Sequence, residues 1–412
     1  MRICLVAQEY PPETARGGIG SQTYNKARTL AQLGHDVHVL SCSPPRGPEF
    51  RTERHDGVTV HRMRPPGEEA GREFEVDEPA LYAMGYTWSM ARHLFWLEDD
   101  APFDVVDFAE YGAEGLGYQM NRTPWRHTPV VVQLHGPLTM FAERIGWPDP
   151  DSEFVRTVGF MEERSIQLAD ALMACSANIA DFTAERHGVE RESIEVVHCG
   201  VDTEQFRPPG GGEGERDPTV LFVGNLDFSK GIKAVFDAVM QLRPRYPGLR
   251  LEVVGKGNER LVADLEAEAR DRGAGEALVI HGFLGDRDEL PRLYRRAAVF
   301  CSPAYHEVGV ANVYIEAMAS GCPVVAASTG AASEAVEDGV AGLLVPPRDA
   351  GATAAALDRL LGDPELRWRM GDAGRKRAEE QFALEPYVGR VLDVYERAIE
   401  SHQALTTAGA WR

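Results

Sequence analysis

The sequence lacks several features that would place it in a familiar class of protein. Its six cysteines are far apart and form no CxxC pair, which gives little support to a zinc or redox motif. No apolar run approaches the roughly 18 residues that a membrane span requires. We expect no signal peptide before the first strand, because MRICLVA is already typical of a buried strand. We therefore expect a cytoplasmic protein whose cysteines are buried thiols.

Positive charge is also scarce. The chain has 43 Lys and Arg residues against 64 Asp and Glu residues, a net charge of −21. A field of this sign argues against a nucleic acid partner and against strong binding to anionic lipid. We expect no nucleic acid partner, and the charge does not indicate a peripheral membrane contact, although a local basic patch would permit one.

Short apolar runs alternate with longer amphipathic segments along almost all of the 412 residues. Continuous Val, Leu and Ile runs are typical of parallel strands that are buried on both faces. The alternation predicts an α/β fold with doubly wound parallel sheets, and the length predicts two domains. Strands are predicted at 2–7, 36–41, 58–63, 103–108, 129–134, 171–176, 219–224, 249–255, 277–283, 298–303 and 323–328.

The segment RPPGGGEGERDP at 207–218 has the Pro, Gly and charge content of a linker, and a strand follows it directly. We therefore predict Rossmann-like domains at 1–207 and 218–384. Ligands of doubly wound sheets bind beyond the carboxyl ends of the strands. The active site is accordingly expected in a central cleft that both domains face.

Two glycine-rich segments follow predicted strands, RGGIG at 16–20 and VVGKGNE at 253–259. Glycines at such a position allow backbone amides to approach a phosphate, and a tight turn is an equally good interpretation. A lysine, Lys230, lies near the start of the helix that follows FVGNLDFSKG. The helix dipole disfavours a cation there unless it faces an anion, and the alternative is a solvated surface lysine.

The segment HEVGVANVYIEAMASGCPVV at 306–325 carries two glutamates in apolar surroundings. A helix is predicted to start near Val310 and to end before Gly321. Its first amide groups would form an anion site. Glu316 lies inside this helix, where its carboxylate needs hydrogen bonds; ribose hydroxyls would supply them, and an arginine or backbone groups are the alternative.

The ordered motifs of the chain resemble those of the retaining GT-B glycosyltransferases of family four over nearly the full length. Each motif is modest alone, but their shared order is specific. They are GGIGSQTYNKARTLAQLGHDVHVLS (17–41), LHG (134–136), GVD (200–202), FVGNLDFSKG (222–231), VVGKGNE (253–259), IHGF (280–283), EAMASGCPVVAA (316–327) and GAASEAVEDGVAGLLVPPRD (330–349).

The resemblance implies transfer of a hexosyl or N-acetylhexosaminyl group, with retention, from a nucleotide-diphosphate sugar to a hydroxyl acceptor, without a metal or other cofactor. Lys230 would bind the donor diphosphate and stabilise the leaving group. Glu307 and His135 would contact the transferred sugar, and Glu316 would hold the ribose. A last helix at about 385–402 would pack back on the first domain. Further donor contacts are implied at Gly17, Gly18, Asn225, Val310, Ala311, Asn312 and Val313.

Two departures from the family pattern concern the donor residues. Eight residues separate Glu307 from Glu316, one more than is usual, so that Val308 occupies the position in strict register. Asn225 stands where the family often has an arginine. It donates hydrogen bonds without charge, so neutralisation of the diphosphate depends more heavily on Lys230 and the helix end.

The sequence also contains features that a metal site or another reaction would use. The DPD at 149–151 and the DRD at 286–288 suit a turn and a helix start better than a metal site. Glu307 and Glu316 could be the two carboxylates of a glycosidase, but phosphate-directed surroundings fit a nucleotide donor better. A nucleotide-sugar epimerase on the same fold and a non-catalytic two-domain sugar-binding protein are the alternatives.

The acceptor site is predicted in loops of the first domain, at 64–90, 110–115 and 137–150. Side chains there that could stack on or hydrogen-bond a polar acceptor, or simply pack a loop, are Glu110, Tyr111, Phe141 and Trp147. Residue types alone select neither the nucleobase nor the sugar of the donor.

Overall fold

The computed structural model describes residues 1–14, 17–44, 47–64, 79–123, 127–210, 216–284 and 288–407. The chain divides into two compact units. The first contains Met1–Gly200 and the C-terminal segment from Leu384, and the second contains Val201–Ala383. Among the described residues, none of the helices is both long and apolar enough to cross a membrane.

Within the described residues, fourteen strands build the two sheets. They are β1 Arg2–Val6, β2 Asp36–Cys42, β3 Phe50–His55, β4 Val58–Met63, β5 Val105–Ala109, β6 Val130–Leu134, β7 Ala171–Ala174, β8 Ile194–Val196, β9 Asp217–Val223, β10 Arg250–Val254, β11 Leu278–Gly282, β12 Ala297–Ser302, β13 Val324–Ala327 and β14 Gly342–Val345.

The helices cover the sheets. They are α1 Gly18–Gln32, α2 Pro79–Asp100, α3 Leu116–Met120, α4 Leu138–Ile145, α5 Glu153–Gln167, α6 Ala177–His187, α7 Ile232–Leu242, α8 Glu259–Asp271, α9 Glu289–Arg296, α10 Asn312–Ala319, α11 Ala332–Ala335, α12 Ala350–Gly362, α13 Pro364–Arg377 and α14 Leu384–Thr407.

The first unit is an eight-stranded sheet in the order β3-β4-β2-β1-β5-β6-β7-β8, parallel except for the antiparallel edge strand β3. Its central strands are buried on both faces, which explains their uninterrupted apolar sequences. Helix α14 packs against α1, and Tyr387, Val391 and Tyr395 of α14 lie in the same apolar cluster as Leu5 and Leu30.

The second unit is a six-stranded, fully parallel sheet in the order β11-β10-β9-β12-β13-β14. Its apolar residues form two clusters, one containing helices α7, α8 and α12 and the other containing α10. The predicted class, α/β with two doubly wound parallel sheets, is confirmed. Because β9 pairs with β12, loops that are distant in the sequence emerge side by side.

The sequence predictions missed some elements. Strand β3 is a polar edge strand with alternating exposure, β8 is only three residues long, and β14 lies inside the motif at 330–349. The predicted acceptor loop at 64–90 is wrong from residue 79 onwards, where α2 begins; residues 65–78 lie outside the described part of the chain. The apolar and aromatic side chains of α2 lie all around the helix and obscure its period.

The boundary between the units lies at Gly200 and Val201, whereas the sequence placed the end of the first domain at residue 207. The intervening segment is hydrogen-bonded into the second unit. The Val201 amide donates to the carbonyl of Phe382 at 2.7 Å, and the Arg375 guanidinium donates to the carbonyls of Thr203 and Phe206. Residues 211–215 of the predicted linker lie outside the described ranges.

Candidate active site

The loops at the carboxyl ends of the strands in the second unit pack backbone against backbone. A Cβ atom on Gly255, after β10, would lie 1.9 Å from the carbonyl oxygen of Gly224, after β9. A Cβ on Gly330, after β13, would lie equally close to the carbonyl oxygen of Glu307, after β12. Close packing of loops therefore explains Gly255 of VVGKGNE and Gly330 of GAASEAVEDGVAGLLVPPRD without any ligand.

Lys230 ends a short 3-10 turn, Phe228–Lys230, that follows β9. Asp227 caps this turn, because its carboxylate accepts from the amides of Ser229 at 2.7 Å and Lys230 at 3.3 Å. The ammonium group of Lys230 donates to both carboxylate oxygens of Glu307, at 3.1 and 3.0 Å. Two of the predicted catalytic residues therefore form an ion pair.

The two members of this pair differ in exposure. The side chain of Lys230 is 31% exposed, whereas that of Glu307 is 6% exposed. The pair is therefore open to solvent on the lysine side. Val308, which holds the strict family register, is buried, and the carboxylate of Glu307 is the group directed at Lys230.

The loop that carries Glu307 is fixed by residues that the sequence analysis did not select. The amide of Tyr305 donates to the carbonyl of Ser229 at 2.6 Å, and the hydroxyl of Thr329 donates to the carbonyl of Tyr305 at 2.9 Å. The guanidinium of Arg348 lies 4.0 Å from the centre of the Tyr305 ring. These contacts join segments from four strand ends, so sequence spacing could not reveal them.

Helix α10 begins at Asn312, two residues later than predicted, because Ala311 is its N-cap. The predicted donor residue Val310 precedes the helix and is buried, and the amide of Tyr314 donates to the carbonyl of Ala311 at 3.0 Å. Ala311 has no side chain that could accept from the helix end. The amides at this end, including those of Asn312 and Val313, therefore present positive dipole character at the loop.

Glu316 lies one turn further along α10, and its partner is a tyrosine rather than an arginine. The Tyr294 hydroxyl lies 3.2 Å from the Glu316 carboxylate and 3.2 Å from the carbonyl of Val313. Burial raises the pKa of Glu316 to about 7, against a smaller lowering by the Tyr294 hydrogen bond. Tyr294 was missed by the sequence analysis, although it is the aromatic residue of the ELPRLYRR helix.

Asn225, which occupies the usual arginine position, is exposed in the loop after β9. Its carbonyl accepts from the amide of Asp227 at 3.0 Å. In the first unit, Gly17 and Gly18 are exposed at the start of α1, and the Gly17 amide donates to the Glu9 carboxylate at 2.8 Å. A phosphate on that amide would have to displace Glu9. Arg16 lies outside the described residues.

His135 follows β6 in the first unit, and Glu110 holds its backbone. The amide of His135 donates to the Glu110 carboxylate at 2.7 Å, and the amide of Gly136 donates to the same oxygen. Burial raises the pKa of Glu110 despite these hydrogen bonds. The Glu110 side chain has no exposed surface. Its predicted contact with the acceptor is therefore replaced by a role in positioning the His135 loop.

Two further buried carboxylates hold neighbouring loops in the same way, and the sequence analysis selected neither. Glu162 accepts from the amides of Gly112 at 2.9 Å and Leu138 at 2.8 Å. Glu114 accepts from the amide of Gln8 at 3.1 Å. Burial raises the pKa of both carboxyl groups well above the ordinary value. Glu114 lies among small and apolar residues in YGAEGLG, which is a signal in the sequence, whereas Glu163 and Arg164 directly follow Glu162 and hide it.

The imidazole of His135 faces two thiols, those of Cys175 and Cys199. Burial lowers the pKa of His135, but the hydrogen bond to Cys199 and its charge raise the pKa above the usual value overall. The hydrogen bond from Cys175 is the main cause of a lowered pKa at Cys199, against the effect of burial. His135 is thus part of a polar cluster with the two cysteines.

The remaining acceptor candidates are placed on helices and turns of the first unit. Tyr111 is half-buried against an apolar cluster, Phe141 is half-buried on α4, and Trp147 is 68% exposed. Asp149 accepts from the amide of Asp151 at 3.0 Å, so the DPD segment forms a turn. Of the DRD segment, only Asp288 lies within the described residues, directly before α9.

Two Rossmann-like parallel-sheet domains, each with its candidate residues at the carboxyl ends of the strands, define a GT-B glycosyltransferase fold. Solved structures agree with this class. The sucrose-phosphate synthase of Thermosynechococcus elongatus has a TM-score of 0.79 at 21% identity, covering 97% of this chain and 99% of that chain. Anabaena HepE in complex with UDP and glucose has a TM-score of 0.70 at 18% identity, covering 95% and 98%.

The sequence comparisons show the family. The family model "Glycosyl transferases group 1" matches residues 204–377, and "Glycosyltransferase Family 4" matches residues 16–205. The MMP alpha-(1->4)-mannosyltransferase of Mycolicibacterium hassiacum is 32% identical, covering 97% of this chain and 98% of that protein. The chain belongs to the group 1, family four glycosyltransferases, as its motifs indicated.

Proposed function

We propose that this glycosyltransferase moves a hexosyl group from a nucleotide-diphosphate sugar to a hydroxyl acceptor, with retention and without a metal. The observation that carries the proposal is the Lys230–Glu307 ion pair beside the N-terminus of α10. An ammonium group and a helix end are the groups that a departing diphosphate requires.

The ion pair is proposed to exchange partners when the donor binds. The diphosphate takes Lys230, whose side chain is the more exposed of the two, and the amides at the start of α10 bind the same charge. Glu307 then accepts a hydrogen bond from a hydroxyl of the transferred sugar. Charge that develops on the β-phosphate as the glycosidic bond breaks is stabilised by groups that are already in place.

The acceptor hydroxyl is proposed to attack the anomeric carbon from the face that the diphosphate leaves. The bond from the anomeric carbon to the phosphate oxygen breaks, the bond to the acceptor oxygen forms, and the acceptor proton passes to the leaving phosphate. His135, held by Glu110, is assigned the contact with the transferred sugar that the family resemblance implies.

Glu316 is proposed to bind the ribose hydroxyls. Hydrogen bonds from the ribose hydroxyls stabilise the ionised carboxylate. Binding of the nucleotide sugar therefore lowers the pKa of Glu316, which burial has raised to about 7. The Tyr294 hydroxyl supports the carboxylate in the free protein. A hexose donor is favoured by the similarity to a mannosyltransferase and to a protein solved with UDP and glucose.

The test is a panel of UDP-, GDP- and ADP-hexoses with simple glycoside acceptors, with and without EDTA. We expect one donor to be turned over in EDTA, with a product whose anomeric configuration, determined by NMR, is that of the donor. An inverted product would exclude the retaining mechanism, and a complete loss of turnover in EDTA would exclude metal independence.

The same panel separates the alternative functions. An epimerase would isomerise the donor when no acceptor is present. A binding protein would be stabilised against heat by the donor and would release no nucleoside diphosphate with any acceptor. The proposed transferase should release nucleoside diphosphate in proportion to glycoside formed.

A further inference from the structure

The cluster of His135, Cys175 and Cys199 comes from three adjacent strands of the first unit. These residues follow β6, β7 and β8, which are consecutive neighbours in the sheet. Because parallel strands end at the same edge, residues separated by tens of positions in the sequence meet there. The absence of a CxxC spacing therefore does not exclude a metal site formed by these residues.

The geometry suits a soft divalent cation. One ring nitrogen of His135 and the sulfurs of Cys175 and Cys199 lie within 4.8 Å of one another. Ligand atoms around a tetrahedral zinc ion are about 3.5–3.8 Å apart, given Zn–N and Zn–S bonds of about 2.0–2.3 Å. Small side-chain rotations would close the remaining difference.

Chemistry and access agree with this geometry. Two thiolates and one imidazole form a donor set that selects zinc-like ions over Mg²⁺ or Ca²⁺, and three protein ligands leave a fourth position for water. Both cysteines are buried, whereas His135 is partly exposed and provides a route of entry.

We propose that His135, Cys175 and Cys199 form a binding site for a Zn²⁺-class ion, which inhibits the enzyme by occupying His135. The two thiols lose their protons to solvent as the ion binds. The inhibition rests on the proposed function, because His135 is there assigned a sugar contact. Metal binding itself does not depend on the proposed function, and it is tested without any sugar donor.

The binding test is a titration of the full-length, tag-free, reduced protein with Co²⁺, a spectroscopic substitute for Zn²⁺. We expect one equivalent to produce a thiolate-to-metal charge-transfer band and tetrahedral visible bands, which Zn²⁺ then removes by displacement. Cys175→Ala and Cys199→Ala should each weaken metal binding by more than the 10–100-fold that loss of an outer-shell partner costs. Cys301→Ala, at a fully buried thiol on β12, is the matched control and should bind as the wild type does.

Thermal melts establish whether the variants are folded, and His135→Ala is a second ligand variant in which both thiols remain. Absence of the charge-transfer band in the wild type would overturn the site. Bands that survive in all three ligand variants would overturn it equally. If the bands behave as expected but micromolar Zn²⁺ leaves glycosyl transfer unchanged, the inhibitory role fails while the site stands.

Discussion

In the second unit, Glu307 shares its carboxylate with the side chain of Lys230, whereas in the first unit Glu110 and Glu162 direct theirs at backbone amides. Both arrangements lie at the carboxyl ends of parallel strands. The lysine is 31% exposed at its side chain, so a ligand can compete for it. A ligand could compete for the amides that bind the buried carboxylates only if the loops opened.

This difference separates groups that act on a ligand from groups that position a loop. A carboxylate paired with a partly exposed side chain can be released when an anion binds that side chain. A buried carboxylate on two amides fixes a loop, and its loss leaves donors unpaired. Substitution of Glu307 in the second unit should therefore reduce activity, whereas substitution of Glu110 or Glu162 in the first unit should reduce stability.

The largest expected effect is at Lys230. Lys230→Ala removes the charge proposed to stabilise the leaving diphosphate, and turnover should fall about 10²–10³-fold. Steady-state kinetics with the identified donor measure the loss. Lys233→Ala, at a lysine with a 46% exposed side chain in the next helix, is the matched control. Near-normal turnover of Lys230→Ala would contradict the proposed role of Lys230. An unfolded variant would show that Lys230 is required for folding.

At Glu162 we expect a loss of stability. Glu162→Gln leaves one of two amides, those of Gly112 and Leu138, without an acceptor, at a cost of about 1–3 kcal/mol in the free energy of unfolding. Denaturant unfolding measures this cost. Glu163→Gln, at the neighbouring partly exposed residue, should change stability by no more than about 0.5 kcal/mol. Equal stabilities of the two variants would contradict the positioning role.

A third comparison lies within the second unit. Gly330 and Gly339 both have positive φ, +65° and +75°, but only the Cβ of an alanine at 330 would collide with the Glu307 backbone. Both Gly→Ala variants should lose roughly 1 kcal/mol of stability through the left-handed backbone conformation, and Gly330→Ala should lose more because its Cβ would lie 1.9 Å from a carbonyl oxygen. Gly330→Ala should in addition weaken donor binding, because it displaces Glu307. Calorimetric titration of both variants with the donor gives the comparison, and equal affinities would contradict the displacement.

The smallest effect concerns Glu316 and pH. Burial raises its pKa to about 7, and ribose binding requires the ionised form. Donor affinity should therefore increase as pH rises from about 6 to about 8, since the carboxyl group loses its proton across that range. In Glu316→Gln the donor should bind more weakly, with a flatter pH dependence. An unchanged slope in this variant would assign the titration to another group.

Much of the fold followed from the sequence because parallel strands buried on both faces leave continuous apolar runs. The polar edge strand β3 and the three-residue β8 carry no such signal, and both were missed. Helix α10 was predicted two residues early because Val310 and Ala311 continue its apolar pattern, whereas helix start depends on backbone geometry at Ala311.

The sequence selected candidate site residues but not the contacts between them. Lys230 and Glu307 were both selected, but they are 77 residues apart, and their pairing follows from the adjacency of β9 and β12. The burial of Glu110 and the meeting of Cys175 and Cys199 at His135 depend on sheet order in the same way. Local sequence does not encode that order.

The central claim, that Lys230 and the start of α10 receive a diphosphate, is tested most directly by a crystal structure with the nucleoside diphosphate of the identified donor. The account predicts a β-phosphate oxygen at about 2.7–3.1 Å from the Lys230 ammonium and from an amide at the start of α10, with Glu307 released. A diphosphate bound elsewhere, with the Lys230–Glu307 pair intact, would contradict it.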